Sequence, residues 1–357
     1  MTLWRRHGWG RLVDQRVLGP TGAAALAVAL TACTAADDAA ASNDETPSDS
    51  PSGEPSEQSV TDLVETLQGE WTLGQEAAAS HWRTEVGVAA WNGRIWVVGG
   101  FVDGLQSNTN SVLVYDPASD SWDEGPSLPG GVDHTSVVGG DRLYVIGGYG
   151  QGSNVWVLNS AGDGWDPGPA LPAGRAAGAA VWDGSRIVYG GGVGEAARDR
   201  DEVLVLDDDG WHVAGRLSEA RNHLGAATDG AGTVWFLAGR VTGNFGSSNV
   251  ATVDLFDGDQ VTYLGDVPTP RSGGGGFFVP DLGGCYVGGE SSGFTFTETE
   301  CVDRDGTVRI LPDLPEGRHG IGAGVVLDDR LYVLTGGPRP NFSFSGSVRI
   351  LDLATLR

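Results

Sequence analysis

The chain contains no lysine. Its 22 basic residues are all arginine and stand against 47 acidic ones, for a formal net charge of −25 over 357 residues. Such a surface repels nucleic acid and anionic lipid headgroups, so neither is expected as a charge-driven partner. The acidity suits a secreted protein held in solution by charge, or a salt-tolerant source, and by itself names no partner. Two sequence patterns are also missing: a phosphate loop and HExxH. Their absence argues against nucleotide binding through such a loop and against a zinc-peptidase helix. No cofactor and no resident metal are expected. Long apolar runs are scarce as well. "TGAAALAVAL", residues 21–30, is too short for an ordinary transmembrane helix.

That run has a different use. Arg5, Arg6, Arg11 and Arg16 surround its approach, and Leu30-Thr31-Ala32-Cys33 follows it. A basic start, an apolar run and small residues in that order read as an export signal. The ending resembles a bacterial lipobox. The resemblance implies that Cys33 is lipidated and becomes the N-terminus, so that the protein sits outside the cytoplasm, anchored to the cell membrane through the lipid. A plain cleaved signal peptide with a chance cysteine is the alternative. Residues 34–60 hold seven acidic residues, no basic ones and no aromatics. They bury too little apolar surface to fold, and read as a tether. The expected organisation is a signal at 1–33, a tether at 34–60 and one folded domain at 61–357.

Within that domain one pattern returns. "VAAWNGRIWVVGG" (88–100) reads as a hairpin whose second strand stops on Gly99-Gly100. Further copies end at Gly147-Gly148, Gly191-Gly192, Ala238-Gly239, Gly288-Gly289 and Gly336-Gly337, spaced 44 to 50 residues apart. After each doublet comes a loop, then an alternating strand such as "SVLVYD" or "EVLVLD". A short strand with an aromatic and a glycine follows in most copies, as at Trp122 and Gly125 or Trp165 and Gly168. A period near about 50 residues marks a propeller array. The units resemble the kelch repeat, with its Gly-Gly doublet and its later Tyr and Trp, here best matched by Tyr115 and Trp122. The resemblance covers about residues 70–357. It implies an all-β fold, a six-bladed kelch-type β-propeller, in which the doublet marks close packing of a blade on its neighbour.

The last unit lacks a fourth strand, while "GEWTLG" (69–74) stands alone at the start with the same Trp-to-Gly spacing as 122–125. The N-terminal strand is therefore expected to close the last blade and hide its edge. A short helix over 61–67 is a weak expectation. Cys285 and Cys301 lie on the second and third strands of the fifth unit, equidistant from Gly293. A hairpin centred there sets them opposite one another, and export permits a disulfide. Two free buried thiols are the alternative.

Arg83, Arg175, Arg221, Arg271 and Arg318 fall just before the first strand of five units, and His134, His223 and His319 lie beside them. In the second unit Asp133-His134 takes the arginine's place. All share the face onto which the second strands end and the longer loops open. A ring of arginines there suits a carboxylate, sulfate or phosphate. Equally, each arginine serves as a joint within the propeller. Phe245, Phe294, Phe296, Phe342 and Phe344, with Asn108, Asn110 and Asn341, populate the loops and suit a sugar or peptide platform, or simply pack inward. "LDDDGW" (206–211) reads as a turn and "DRDE" (199–202) as a solvated charge run.

Three functions follow. The first is a ligand- or protein-binding module, expected to be monomeric, for an anionic small molecule, a glycan or an envelope protein. The second rests on fold-level resemblance to the N-acetylneuraminate epimerases, exported six-bladed kelch propellers. It implies sugar mutarotation with His223 or His319 as acid or base, Glu85 as partner, and Arg175, Arg221 and Arg271 as clamp. The third, a copper oxidase resembling galactose oxidase, fits poorly, because that family has seven blades and uses a cysteine-linked tyrosine.

Overall fold

The computed structural model describes residues 64–102, 107–242 and 248–357. Cys33, the 34–60 segment and Phe245 lie outside the described residues. The described residues from 64 onward build six antiparallel blades of four strands around one axis, the fifth extended by one added parallel strand, with the short pair Arg83–Thr84 and Phe101–Val102 beside them. Blade 1 runs Gly87–Trp91, Arg94–Val98, Val112–Asp116 and Ser121–Gly125, from the axis outward. Blades 2 to 5 repeat this order, beginning at Ser136, Ala179, Gly225 and Gly275.

Each strand follows from its composition. The innermost strands, "GVAAW", "SVVG", "AAVW", "GAAT" and "GGFFV", are small-residue strands because they converge on the axis. A Cβ on Gly276 would sit 2.4 Å from the carbonyl oxygen of Ala226 in the next blade. The second and third strands are β-branched and apolar and bury on both faces between blades, as in "RIWVV" and "VLVYD". Outer strands are more polar, and all but that of blade 5, Val308–Leu311, carry one aromatic. Where it is tryptophan, that aromatic ties neighbouring blades. The indole N–H of Trp165 donates to Pro126 O (2.8 Å) and that of Trp211 to Pro169 O (2.7 Å). Trp122 donates likewise to Gln75 O and Trp71 to Pro312 O.

Blade 6 closes as expected. Trp71–Gly74 pairs antiparallel with Val348–Asp352, with Trp71 opposite Leu351. Val325–Leu327 and Arg330–Leu334 complete the sheet. The expected helix over 61–67 is absent where the chain is described. Glu65–Thr66 instead forms a strand, parallel to Val308–Leu311. Cys285 and Cys301 stand directly opposite in blade 5 and form a disulfide. The turn after Asp207 is also as expected, with the Asp209 N–H bound to the Asp207 carboxylate.

The doublets end the second strand of each blade and bond it to the next blade. Gly99 and Gly100 both lie in the left-handed region, and a Cβ on Gly99 would meet Val132 O at 2.4 Å. The second N–H of each doublet donates to the next blade: Gly100 to Val132 O, Gly148 to Arg175 O, Gly192 to Arg221 O, Gly239 to Arg271 O, Gly289 to Arg318 O. In blade 6 the donor is Gly336, to Arg83 O. The working doublet there is thus Thr335-Gly336, not Gly336-Gly337. Thr335, like Ala238, is held at a positive φ without being glycine.

Candidate functional site

The residue two places after each of the five blade-entry arginines, and after Val132 in blade 2, takes a left-handed conformation. These six are Glu85, His134, Ala177, His223, Gly273 and Gly320, with φ between 51° and 71°. The N–H of each donates to the carbonyl of its counterpart one blade earlier: His134 to Glu85, Ala177 to His134, His223 to Ala177, Gly273 to His223, Gly320 to Gly273. Val86 N–H closes the circle on Gly320 O (3.2 Å). A collar of backbone bonds therefore rims the axis and aims whatever side chains it carries into the mouth. Three positions carry functional groups. Ala177, between the two histidines, and the adjacent Gly273 and Gly320 carry none.

The mouth is a linked polar cluster. Nε2 of His134 lies 3.1 Å from Glu85, while its Nδ1 is bound to the Asp133 carboxylate. Nδ1 of His319 lies 3.3 Å from the other Glu85 oxygen and 3.4 Å from Glu290. The Arg240 guanidinium reaches Glu290 (3.4 Å) and donates to Nε2 of His223 (2.9 Å). Nδ1 of His223 is bound to Asn222, and its ring meets that of His134 edge-on at 4.9 Å. Tyr149 packs on the other side of His134.

Burial disfavours charge on all of these groups, and their neighbours decide the outcome. At Glu85 the charges of His134 and His319 overcome burial and hold the carboxyl far below its usual range. His134 is only partly exposed, and burial lowers it, yet Glu85 and Asp133 raise it above the ordinary histidine value. His319 is likewise raised against burial, by Glu85 and Glu290. His223 goes the other way: burial, Arg240 and protonated His134 push it well down. Burial and Glu85 raise Glu290 despite His319 and Arg240. Two imidazoles in contact are thus shifted in opposite directions, His134 toward the charged form and His223 toward the neutral one.

The cluster opens into a cavity of about 50 Å³ on the axis and, past His223, one of about 220 Å³ lined by Tyr149, Asn222, His223, Arg240 and Thr242. Two trios, Glu85/His134/His223 and Glu85/Glu290/His319, bring ligand-type atoms within 4.8 Å of one another. The Nδ1 atoms of His134 and His223 are anchored, as in metal sites. However, the Arg240 guanidinium already occupies Nε2 of His223 and opposes a cation there.

The arginines behave differently from an anion-facing ring. Arg83, Arg175, Arg221, Arg271 and Arg318 are only 0–6 % exposed. Arg221 donates to Ala238 O, Phe236 O and Asp254, all in its own blade. Arg271 repeats this with Gly288 O, Tyr286 O and Glu300. Arg83 binds Gly99 O and the Ser111 hydroxyl, and Arg175 binds Gly191 O and Glu202. They buckle the strands of single blades, and burial lowers Arg83 to about 10. Their position in blade 2 belongs to Val132, whose carbonyl receives Gly100; Asp133-His134 are the two rim residues after it. Nor is "DRDE" merely solvated, since Asp199 holds Asn222, and Glu202 holds Arg175.

Among the loop residues, Phe296 is buried with Phe294 packed on it, and Phe342 is exposed against Phe101. Asn108 binds Asp133 (2.8 Å), Asn110 caps Leu128 O, and the Asn341 N–H reaches Glu290. Sequence reasoning missed Arg240, Glu290 and Tyr149. Each directly follows a doublet, which is the signal that finds them.

The geometry is that of a six-bladed propeller with an asymmetric, charged axial mouth. The Kelch motif matches residues 83–129, and a second Kelch motif description matches 132–172. Kelch-like protein 36 of Bos taurus is 40% identical over 60 residues, which span 17% of this chain and 9% of that protein. A solved structure titled "Structure of YjhT" superposes with a TM-score of 0.62 at 17% identity, over 75% of this chain and 94% of that one, a likeness of fold. The chain thus carries kelch motifs at 83–129 and 132–172 and has the fold of a six-bladed kelch-type β-propeller.

Proposed function

We propose that this propeller works outside the cytoplasm, lipid-anchored at Cys33, and binds an anionic carbohydrate or other acidic ligand in its axial mouth. One observation carries the reading. Glu85, His134 and His223 are aimed inward by the backbone collar, while Ala177, Gly273 and Gly320 leave room beside them. Protonated His134 and Arg240 supply positive charge to an otherwise acidic protein, and Glu85, Asn222 and Tyr149 supply polar partners for hydroxyl groups. The test is calorimetric titration of the full chain with sialic acid, uronates, neutral sugars and an acidic peptide, at two salt concentrations. Acidic sugars release heat, salt weakens them, and His134→Gln lowers their affinity about tenfold. If no member of the panel binds, or if His134→Gln changes nothing, the mouth is not the site.

A second reading, mutarotation of the bound sugar, draws on the contact between two imidazoles shifted in opposite directions. A cyclic hemiketal opens when a base takes the anomeric O–H proton and an acid protonates the ring oxygen as the C–O bond breaks. Reclosure on the other face returns both protons. In this reading His223 acts as the base once its Nε2 is released by Arg240, and His134 acts as the acid. Anomeric exchange followed by NMR decides the matter. His223→Gln slows exchange by about a hundredfold if the pair is catalytic, and leaves it at the solvent rate if the mouth only binds.

A further inference from the structure

Blade 6 breaks a rule that blades 4 and 5 keep. In those blades the buried entry arginine meets an acid on the third strand: Asp254, opposite Phe236, and Glu300, opposite Tyr286. Phe236 and Tyr286 stand two residues before the working doublet. The same position in blade 6 is Val333, and the residue opposite it is Arg349. An arginine therefore occupies the acid's place, facing Arg318.

The consequence is a buried surplus of guanidinium groups. Arg318 is 2 % exposed, and its Nη2 donates to Glu316 at 2.7 Å. Its Nε and Nη1, and Nε of Arg349, have no hydrogen-bond partner among the described residues. Nη2 of Arg349 stands 3.7 Å from the same Glu316 carboxylate, which is half exposed. Both arginines line a groove of about 280 Å³ on the outer shoulder of the blade. Its other walls are Trp82, Phe344, Leu73 and Pro338, with Glu76 as the remaining acid. The Trp82 ring is held by its N–H to Ala77 O.

We infer that this groove is a second binding site, separate from the mouth, for an organic carboxylate carried on an apolar or aromatic body. Burying guanidinium nitrogens without acceptors is costly, and a ligand bringing two oxygens removes that cost. The planar fork of arginine matches a carboxylate in bidentate fashion. The aromatic and aliphatic walls take the body, which a bare inorganic anion lacks.

The test uses benzoate as probe on the full chain, followed by calorimetry and tryptophan fluorescence, with benzamide and inorganic sulfate as controls. Benzoate binds saturably, and both controls bind at least about tenfold more weakly. Arg349→Glu rebuilds the acid partner of blades 4 and 5. It lowers benzoate affinity by about tenfold or more while the thermal midpoint holds or rises. Arg349→Ala, which adds no charge, shifts affinity in the same direction and reports the result if Arg349→Glu folds poorly. The inference fails if benzoate does not bind, if sulfate or benzamide binds as well, or if both variants bind benzoate as the parent does. Binding lost in His134→Gln but kept in Arg349→Glu would place benzoate in the mouth and equally overturn it.

Discussion

Blades 5 and 6 hold the same arginine in opposite circumstances. Arg271 is saturated: two backbone carbonyls of its doublet strand, Thr269 O and the Glu300 carboxylate take its donors. Arg318 enters its blade at the equivalent place and is nearly as buried, but meets another arginine and one half-exposed glutamate. A repeated residue is therefore not a repeated role. The partner contributed by a strand some thirty residues later decides whether the guanidinium is a buckle or an unsatisfied donor. In the first case the arginine is structural and closed to ligands. In the second it is available for chemistry.

The comparison can be broken most directly by truncation. Arg271→Ala strands Glu300 in the interior and costs about 3–5 kcal/mol. Arg318→Ala strands only a half-exposed carboxylate and costs under about 1 kcal/mol. Denaturant unfolding of both variants measures the gap, and equal losses would erase the distinction. Blade 5 also owns a covalent staple that blade 6 lacks. Replacing Cys285 and Cys301 by alanine removes about 3 kcal/mol, and reduction of the parent protein should reproduce the fall in Tm. Trp165→Phe, which loses the N–H donated to Pro126, costs about 1 kcal/mol and shows how far interblade struts share the load with the arginines. In the other direction, Arg349→Glu stabilises blade 6 by up to about 1 kcal/mol if Arg318 lacks a partner.

The smallest effect lies in the mouth and depends on pH. The folded value of His134 is raised, so its contribution is complete below the unfolded value and is lost as pH rises through the folded one. His134→Gln therefore costs more near about pH 5.5 than near about pH 8.5. His223 is depressed, so the unfolded chain takes a proton that the folded chain refuses, and stability falls on the acid side. His223→Gln relieves that loss, and its cost shrinks as pH drops. Tm measured across this range for both variants checks the two signs.

The glycine doublets, the alternating strands and the closing strand at Trp71–Gly74 were legible in the sequence, because each is a local pattern with a fixed period. The disulfide was legible because its two positions are equidistant from one hairpin turn. The arginines were misleading. Their spacing was plain, but the pairing of Arg221 and Arg271 inside the protein depends on Asp254 and Glu300, which only a strand register brings opposite. Those acids sit inside "ATVDLF" and "TETECV", where a carboxylate among apolar neighbours signals a buried cation. The rim was half legible. Glu85, His134, Ala177 and His223 show no preference for a left-handed backbone, yet Gly273 and Gly320 occupy the same column and reveal its conformation.

The seam in blade 6 also sets an order of events. Trp71–Gly74 is among the first parts of the propeller to be synthesised, and its partner strand, Val348–Asp352, is among the last. Thr72 and Ile350, bonded across the seam, are 278 residues apart. No earlier blade offers that strand its register, so the ring cannot lock before Val348–Asp352 has been made. A nascent propeller of this kind remains threadable until its final blade exists, and then becomes a closed loop in a single late step.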